Sequence, residues 1–388
     1  MKYSTTDFLK AATHTAEHFG FRTVDKIKKD PACRDCAAPL AHTFSLADTK
    51  TDTHGGVAVD GVISFCDEKL HALKSPVLLY SVAGAPDTGD TTLTLNIFNV
   101  QKSIAEAILI QASRSLLHEL GHEDHVVRIN SLGDTESSTR YTRELTTFLR
   151  KRLDSLPEQA RELMKEHPYL ALMSLIAEEH ELAYKSPNPL EFLSDQSRKH
   201  FREIVEYLDM SEAPYEIDPK MIGHHELYSD ALFAIESTGS EADSPILARG
   251  GRFDEYLFRK TKSRIPAAGT IITLKNNKPA GRIPKAKHSP SSVYVVQLGF
   301  GPKMRSLMII DELRRAGIPV EHDLASDSLS TQLREAEARG ARYTIIIGQK
   351  EYVEQTVILR DMKERSQEQV SIEQMVKKLK RHTAPVRA

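Results

Sequence analysis

The sequence predicts an α+β core with an antiparallel sheet and helices, followed by an α/β domain with a mixed sheet. Two observations carry this prediction. After residue 292, short apolar β-rich runs alternate with helical stretches, which is typical of βαβ units. Before residue 275, the strand-like runs cluster and long charged helices separate them. We therefore expect a core over residues 1–275, a linker over 276–291 and a second domain over 292–388.

Periodicity predicts the elements of the first part. Apolar residues four apart indicate a helix over residues 103–120, and the alternation of Leu93, Leu95 and Ile97 indicates a strand over 92–100. A further helix is expected over residues 7–18, and a helical segment over about 143–210. Residues 77–80, 221–235 and 270–274 are strand candidates, whereas residues 37–90 otherwise resemble irregular or antiparallel β structure.

The linker and the second domain are easier to delimit. Residues 275–292 are rich in Pro, Gly, Ser and Lys and have almost no apolar content. Beyond them, strands are expected over residues 293–296, 318–320, 343–347 and 357–359, with a closing helix over 372–379. Ser328 is a candidate helix N-cap, and Gly317 and Gly340 are candidate helix stops.

Composition excludes several classes of protein. The chain has a formal charge of −2 and 40% hydrophobic residues, and no apolar run approaches the roughly 18 residues of a membrane span. The N-terminal residues contain no signal-peptide segment, so we expect a cytoplasmic protein. Three cysteines do not form a disulfide framework.

Two short motifs suggest metal sites. His118, Glu119 and His122 fit the HExxH pattern of zinc peptidases, in which two imidazoles lie on one helix face. No third protein ligand has a defensible spacing, and Gly121 followed by charged residues is typical of a helix end, so we assign no metal. Cys33 and Cys36 are half of a metal site, and free thiols are the alternative.

Many short motifs recur in the order found in histidyl-tRNA synthetases. Residues 129–134 (INSLGD), 188–190 (NPL) and 250–254 (GGRFD) resemble segments of that catalytic core. Residues 328–329, 340–342, 348–351 and 359–362 resemble its anticodon-binding domain. The similarity covers roughly residues 95–380. It implies a class II synthetase-like core, an anticodon-binding-like second domain and a homodimer.

The chain departs from the family where ATP is activated. The family's motif 2 arginine has no counterpart, because residues 81–98 contain neither Arg nor Lys. Gly223 stands where the histidine-binding strand carries an arginine, and Lys275-Asn276 replaces the end of motif 3. Preorganised cations stabilise the charge that develops on phosphate, so we expect no catalytic residues and a degenerate core.

The resemblance also assigns candidate binding residues. Glu226 and Tyr228 match positions that surround the histidine substrate, and Gly250, Gly251 and Arg252 form the glycine turn beside it. These five are interpreted as a remnant of the substrate pocket. Gln332, Glu351 and Arg360 match the edge that lies near the anticodon, so they are the candidates for RNA contact.

Three functions stay open at this point. The first is a non-catalytic synthetase paralogue that binds tRNA or another RNA, although the second domain is only mildly basic, with 16 Lys and Arg against 13 Asp and Glu over residues 291–388. The second is a divergent but active histidine–tRNA ligase, which alone would require ATP and Mg. The third is a regulatory or accessory paralogue that binds a protein partner. We expect no cofactor for the first.

Overall fold

The structure is a computed structural model that describes residues 5–23, 65, 75–84, 91–223, 227–238, 246–274 and 293–383. Within these residues the chain forms a larger amino-terminal part and a smaller carboxy-terminal part, each built on one sheet. No described helix is long and apolar enough to cross a membrane.

A seven-stranded sheet organises the first part, in the order β1-β2-β7-β6-β5-β3-β4. All neighbouring strands are antiparallel except β3 and β4, which confirms the predicted α+β architecture. The strands are β1 Val77–Gly84, β2 Thr91–Phe98, β3 His125–Ser131, β4 Tyr215–Ile217, β5 Ser229–Ser237, β6 Ile246–Arg252 and β7 Ala267–Leu274. The helices are α1 Thr5–His18, α2 Ile104–Glu119, α3 Thr135–Arg150, α4 Glu158–Glu166, α5 Pro168–Ala177, α6 Glu181–Tyr184, α7 Asp195–Met210 and α8 Asp254–Thr261.

The two faces of this sheet pack against different elements. Leu93, Leu95 and Ile97 of β2 alternate onto one face, here called the back face, where they share a hydrophobic core with α1, α2 and α7. Phe98 lies on the opposite face, the front face, in a separate hydrophobic cluster with α3 to α6. Helix α2 follows the predicted bounds because apolar residues recur every three to four positions.

The second part contains the predicted mixed sheet, in the order β12-β11-β10-β8-β9. Strand β8 is parallel to β9 and β10, and β11 is antiparallel to β10 and β12. Its elements are β8 Val293–Gln297, α9 Phe300–Arg315, β9 Glu321–His322, α10 Leu329–Ala338, β10 Tyr343–Ile347, α11 Gln349–Glu354, β11 Thr356–Asp361, β12 Ser366–Ser371 and α12 Ile372–Thr383.

Two predictions for this sheet were wrong in detail. The strand expected over residues 318–320 is the two-residue β9 at Glu321–His322, because Ile318 and Val320 pack into the core as an irregular segment. Strand β12 was not predicted. It is an edge strand whose first four residues, SQEQ, are exposed, so it has no apolar pattern to reveal it.

Polar and charged contacts fasten the second part to the first. The Nε2 of His18 in α1 donates to the carbonyl of Ile310 in α9 (2.9 Å). The Oγ of Ser115 in α2 donates to Asp311 (2.7 Å), and Glu119 pairs with Arg314. Since the back-face core also continues into β8 and α9, the described residues form one packed unit.

Candidate functional site: the two sheet faces

Two glycines on the front face leave its centre without side chains. Strand register aligns Asn96, Gly269, Gly251 and Leu232 across four neighbouring strands. A Cβ atom on Gly251 would lie 2.7 Å from the carbonyl oxygen of Ala231, and one on Gly269 would lie 2.6 Å from the Asn96 Oδ1. Only glycine therefore fits at these two positions.

Aromatic rings cover Gly251 and Gly269, which together are called the glycine floor. The Phe253 ring lies 3.1 Å from where a Gly269 Cβ would be, and the Tyr228 ring lies 2.9 Å from the corresponding Gly251 position. Phe65 stacks on Phe98 with ring centroids 3.8 Å apart, and Phe98 meets Phe253 edge to face at 6.5 Å. All are buried, so this part of the front face is apolar.

Beneath the rings, Asn96 is fully buried, and both polar atoms of its amide lack a hydrogen-bond partner in the structure. A buried unpaired amide costs stability, so this position is a local weakness. Asn96 was not among the predicted site residues. The sequence did contain a signal for it. Asn96 lies between Leu95 and Ile97 of β2, so it must point to the face opposite their back-face core.

Two arginines reach the front face from the described strands. Arg128 on β3 is shared among Glu216 (3.5 Å), Asp218 (3.6 Å) and Glu236 (3.3 Å), so its charge is compensated. Arg249 on β6 is exposed and forms no ion pair with a described residue. The front face thus offers one uncompensated guanidinium group along its described strands.

Arg252 faces the other way, into the back of the sheet. It is fully buried and forms a bidentate ion pair with Glu106 of α2. Its Nε donates to Glu106 Oε1 (2.8 Å), and its Nη2 donates to Glu106 Oε2 (3.0 Å). It also donates to the Val100 carbonyl (3.1 Å). Burial alone would raise the pKa of Glu106, but attraction to Arg252 and His200 lowers it to about 2. The pair therefore stays ionised and ties β6 to α2.

His200 of α7 completes the buried cluster, with its Nε2 2.9 Å from the Glu106 Oε1. The glycine turn predicted at residues 250–252 was wrong, because these residues pair with β5 and β7 as the end of strand β6. Asp254, which begins α8, accepts from the Ala267 N–H (2.6 Å) and lies 3.4 Å from Arg252. Burial raises the pKa of Asp254 to about 6, against the opposing attraction of Arg252. Sequence reasoning missed Glu106 and His200. A glutamate in the apolar run IAEAILI was the signal, since a buried carboxylate needs a cation.

The INSLGD segment of residues 129–134 is likewise a structural junction. Asp134 caps α3 by accepting from the Ser137 N–H (2.9 Å), and its other oxygen accepts from Ser194 Oγ (2.7 Å). Ser197 donates to Asp230 (2.6 Å). These bonds join β3, α3, β5 and α7.

The five predicted pocket residues are thus spread over different surroundings. Tyr228 and Gly251 meet on the front face, Gly250 precedes Gly251 in β6 and faces Phe233 on the back face, and Arg252 is engaged behind the sheet. Glu226 lies outside the described residues, as do its neighbours His224 and His225. A ligand contact for any of the five stays a prediction.

The three predicted RNA contacts also differ in their surroundings. Gln332 is fully buried and clamps the backbone of Gln297, accepting from its N–H (3.1 Å) and donating to its carbonyl (2.9 Å). Glu351 caps α11 by accepting from the Gly348 N–H (3.0 Å). Arg360 is half-buried on β11, and its Nε has no hydrogen-bond partner in the structure.

Arg360 lies on a sheet face that is only partly covered. Helix α10 packs over β8 on this face through Ala336 and Leu333. Further along, Arg360 is flanked in register by Thr344 on β10 and Gln367 on β12. The Thr344 hydroxyl has no partner in the structure, and Gln367 is exposed. Because Thr344 is fully buried, this open face presents the half-buried Arg360 beside the exposed amide of Gln367.

The HExxH segment is a helix end, as the sequence analysis interpreted it. Helix α2 ends at Glu119, and Gly121 adopts a left-handed conformation (φ 74°), so His122 lies beyond the helix. Among the described residues, no group of three or more His, Cys, Asp or Glu side chains is arranged to hold a metal ion. Cys33 and Cys36 lie outside the described residues.

Known proteins share this organisation. The family model of the anticodon-binding domain matches residues 292–382. The chain is 31% identical over 274 residues to the histidine–tRNA ligase of Fervidobacterium nodosum, covering 69% of this chain and 63% of that relative. It is 25% identical over 335 residues to the histidine–tRNA ligase of Caldanaerobacter subterraneus subsp. tengcongensis, covering 82% and 79%. The chain thus spans just under two thirds of the first relative's length.

Among solved structures, the apo histidyl-tRNA synthetase of S. aureus matches with a TM-score of 0.45 and 17% identity, covering 82% of this chain and 80% of that one. The motifs in the core and the matched carboxy-terminal domain agree with the sequence relatives. The chain belongs to the histidyl-tRNA synthetase family.

Proposed function

We propose that this protein is a histidyl-tRNA synthetase-like protein without aminoacylation activity, which binds tRNA or another RNA through its carboxy-terminal domain. The observation that carries the first half is the composition of the front face. Its described strands offer one uncompensated guanidinium group, and aromatic rings cover its glycine floor.

The chemistry explains why this composition matters. Joining an amino acid to ATP builds negative charge on the reacting phosphate, and fixed cations stabilise that charge. Removing one such preorganised contact typically slows a reaction by about two to three orders of magnitude. Arg128 is already neutralised by three carboxylates, and Arg252 is committed to Glu106 on the other side of the sheet.

Two features of the carboxy-terminal domain support RNA binding. The open sheet face carries Arg360, and the turn that follows β11 adds exposed Lys363 and Arg365. Helix α12 ends with exposed Lys380 and Arg381. Such cations bind phosphates.

Pyrophosphate exchange tests the first half. The full chain would be incubated with ATP, Mg²⁺, histidine and labelled pyrophosphate, beside the Fervidobacterium nodosum relative as a positive control. We expect no label in ATP above background. Exchange at a rate within about a hundredfold of the control would overturn the proposal in favour of a divergent active ligase.

Titration of the full chain with tRNA at increasing salt tests the second half. We expect saturable binding that weakens steeply with salt, because phosphate contacts release counterions. Binding that is undetectable at low salt would remove the RNA-binding role and leave the protein-binding alternative.

A further inference from the structure

A cavity of about 220 Å³ lies between the two parts of the chain, away from both sheet faces discussed above. The first part lines it with residues of α2 and β3, including Arg114 and His125. The second part contributes residues of α9, including Arg305, Asp311 and Arg315. Neither the synthetase resemblance nor the proposed function uses these residues.

Arg114 is the first unusual feature of this cavity. Its guanidinium donates to the Nε2 of His125 (3.3 Å) and lies 3.5 Å from the Ser211 Oγ, and neither partner is an anion. Burial lowers the pKa of Arg114, although Tyr207 and Asp311 act in the opposite direction. A half-buried cation without a carboxylate partner is costly, so an anion in the cavity would relieve this cost.

The nearest carboxylate cannot fill that role. Asp311 accepts from Arg314 Nε (3.0 Å) and Ser115 Oγ (2.7 Å), and its second oxygen pairs with Arg315 (2.8 Å). Its charge is therefore already shared between two arginines. Exposed Glu312, which also lines the cavity, forms no ion pair with a described residue.

Arg305 is the second cation without a carboxylate partner. Its guanidinium contacts the Sδ of Met308 at 3.8 Å and forms no ion pair with a described residue. Arg114 and Arg305 come from different parts of the chain and line the same space. Guanidinium groups bind the oxygens of phosphate through paired hydrogen bonds.

We propose that this cavity binds a small phosphate-class oxyanion, such as phosphate or pyrophosphate, and that the bound anion links the two parts of the chain through Arg114 and Arg305. Pockets for drug-sized ligands usually measure about 300–1,000 Å³. The cavity of about 220 Å³ is smaller than that, so its volume suits a small anion. The inference does not depend on whether the protein binds RNA or activates histidine.

Calorimetric titration of the full chain with inorganic phosphate and with pyrophosphate, at constant ionic strength, tests the proposal. We expect saturable one-to-one binding at millimolar or lower concentration. R114Q and R305Q should each weaken it about tenfold or more, since a charged hydrogen bond contributes about 1.5–3 kcal/mol. R305Q keeps the proposal testable if R114Q does not fold.

Two matched variants serve as controls. R249Q removes the free cation of the front face, and R150Q removes an exposed arginine at the end of α3. Both should bind phosphate as the unmodified chain does. Absence of saturable binding, equal binding by R114Q and R305Q, or loss of binding in R249Q alone would each overturn the proposal.

Discussion

The two sheets of this protein carry similar frameworks but opposite surfaces. The front face of the larger sheet is closed by Tyr228, Phe253 and the Phe65–Phe98 stack. The second face of the smaller sheet is only partly covered around the half-buried Arg360 and carries the exposed amide of Gln367. Because the largest hydrophobic core lies against the opposite face of each sheet, the side chains of the front face and of the open face can differ while both sheets are retained.

The largest expected effect concerns the buried pair that holds the larger sheet to α2. R252M should lower the free energy of unfolding by about 4 kcal/mol, because it leaves the Glu106 carboxylate buried without its main cation. Urea denaturation of the full chain measures this. R150M, at an exposed arginine, should change it by less than about 0.5 kcal/mol.

A double variant sharpens this result. E106L/R252M removes both charges, so it should recover part of the stability that R252M loses. If R252M were as stable as the unmodified chain, Arg252 would not be the structural tie described here. A role in ligand binding would then be the better explanation for it.

A somewhat smaller effect is expected from opening the aromatic cover. F98A removes the ring that stacks on Phe65 and meets Phe253, so it should destabilise the chain by about 3 kcal/mol. F300A, at a partly exposed ring in α9, should cost much less. A loss below about 1 kcal/mol for F98A would mean that the front face is not closed by packing, and the comparison of the two faces would fail.

Acid should weaken the contact between the two parts of the chain. Burial lowers the pKa of His18 to about 4 and that of His322 to about 3, and nearby Arg314 and Arg339 act in the same direction while Asp311 opposes them at His18. An unfolded histidine titrates near about 6.5, so below that pH the unfolded chain binds protons that the folded chain excludes. Each of these two histidines should therefore lower the free energy of unfolding by about 2 kcal/mol between pH 7 and pH 5.

Urea denaturation of the H18N and H14N variants at pH 7 and pH 5 measures the contribution of His18 to this pH dependence, with the exposed His14 as the control. H14N should keep the full pH dependence, whereas H18N should lose part of it. An unchanged pH dependence in H18N would show that the histidine between α1 and α9 does not control the contact.

The smallest effect concerns the open face. R360Q should raise the Kd for tRNA about tenfold and reduce the dependence of binding on salt by about one phosphate contact. R161Q, at an exposed arginine of α4, should leave both unchanged. Equal binding by R360Q and the unmodified chain would place the RNA contact elsewhere on the domain.

Local patterns in the sequence predicted the second domain well. Ser328 caps α10 by accepting from the Thr331 N–H, and Gly317 and Gly340 end helices with φ of 69° and 70°. These features depend on a few adjacent residues. The alternation of β2 was equally readable, since one face of a strand must be apolar to form a core.

The candidate site was harder because its contacts depend on strand order. Arg252 meets Glu106, which is 146 positions away, and no local pattern pairs them. The direction of Arg249 and Arg252 follows from the register of β6, which places two nearby arginines on opposite faces. The cavity between α2 and α9 requires the docking of two domains, which neither helix reveals by itself.

Lys102, in the loop that leaves β2, is held from two directions. Its carbonyl oxygen accepts from Arg252 (3.4 Å), and its ammonium group pairs with Asp327 of the carboxy-terminal domain. Both side chains of the ion pair are more than half exposed, so the pair contributes little energy and weakens in salt. Because Lys102 contacts both Arg252 of the first part and Asp327 of the second, high salt should weaken this contact between the two parts while the buried Arg252–Glu106 pair stays in place.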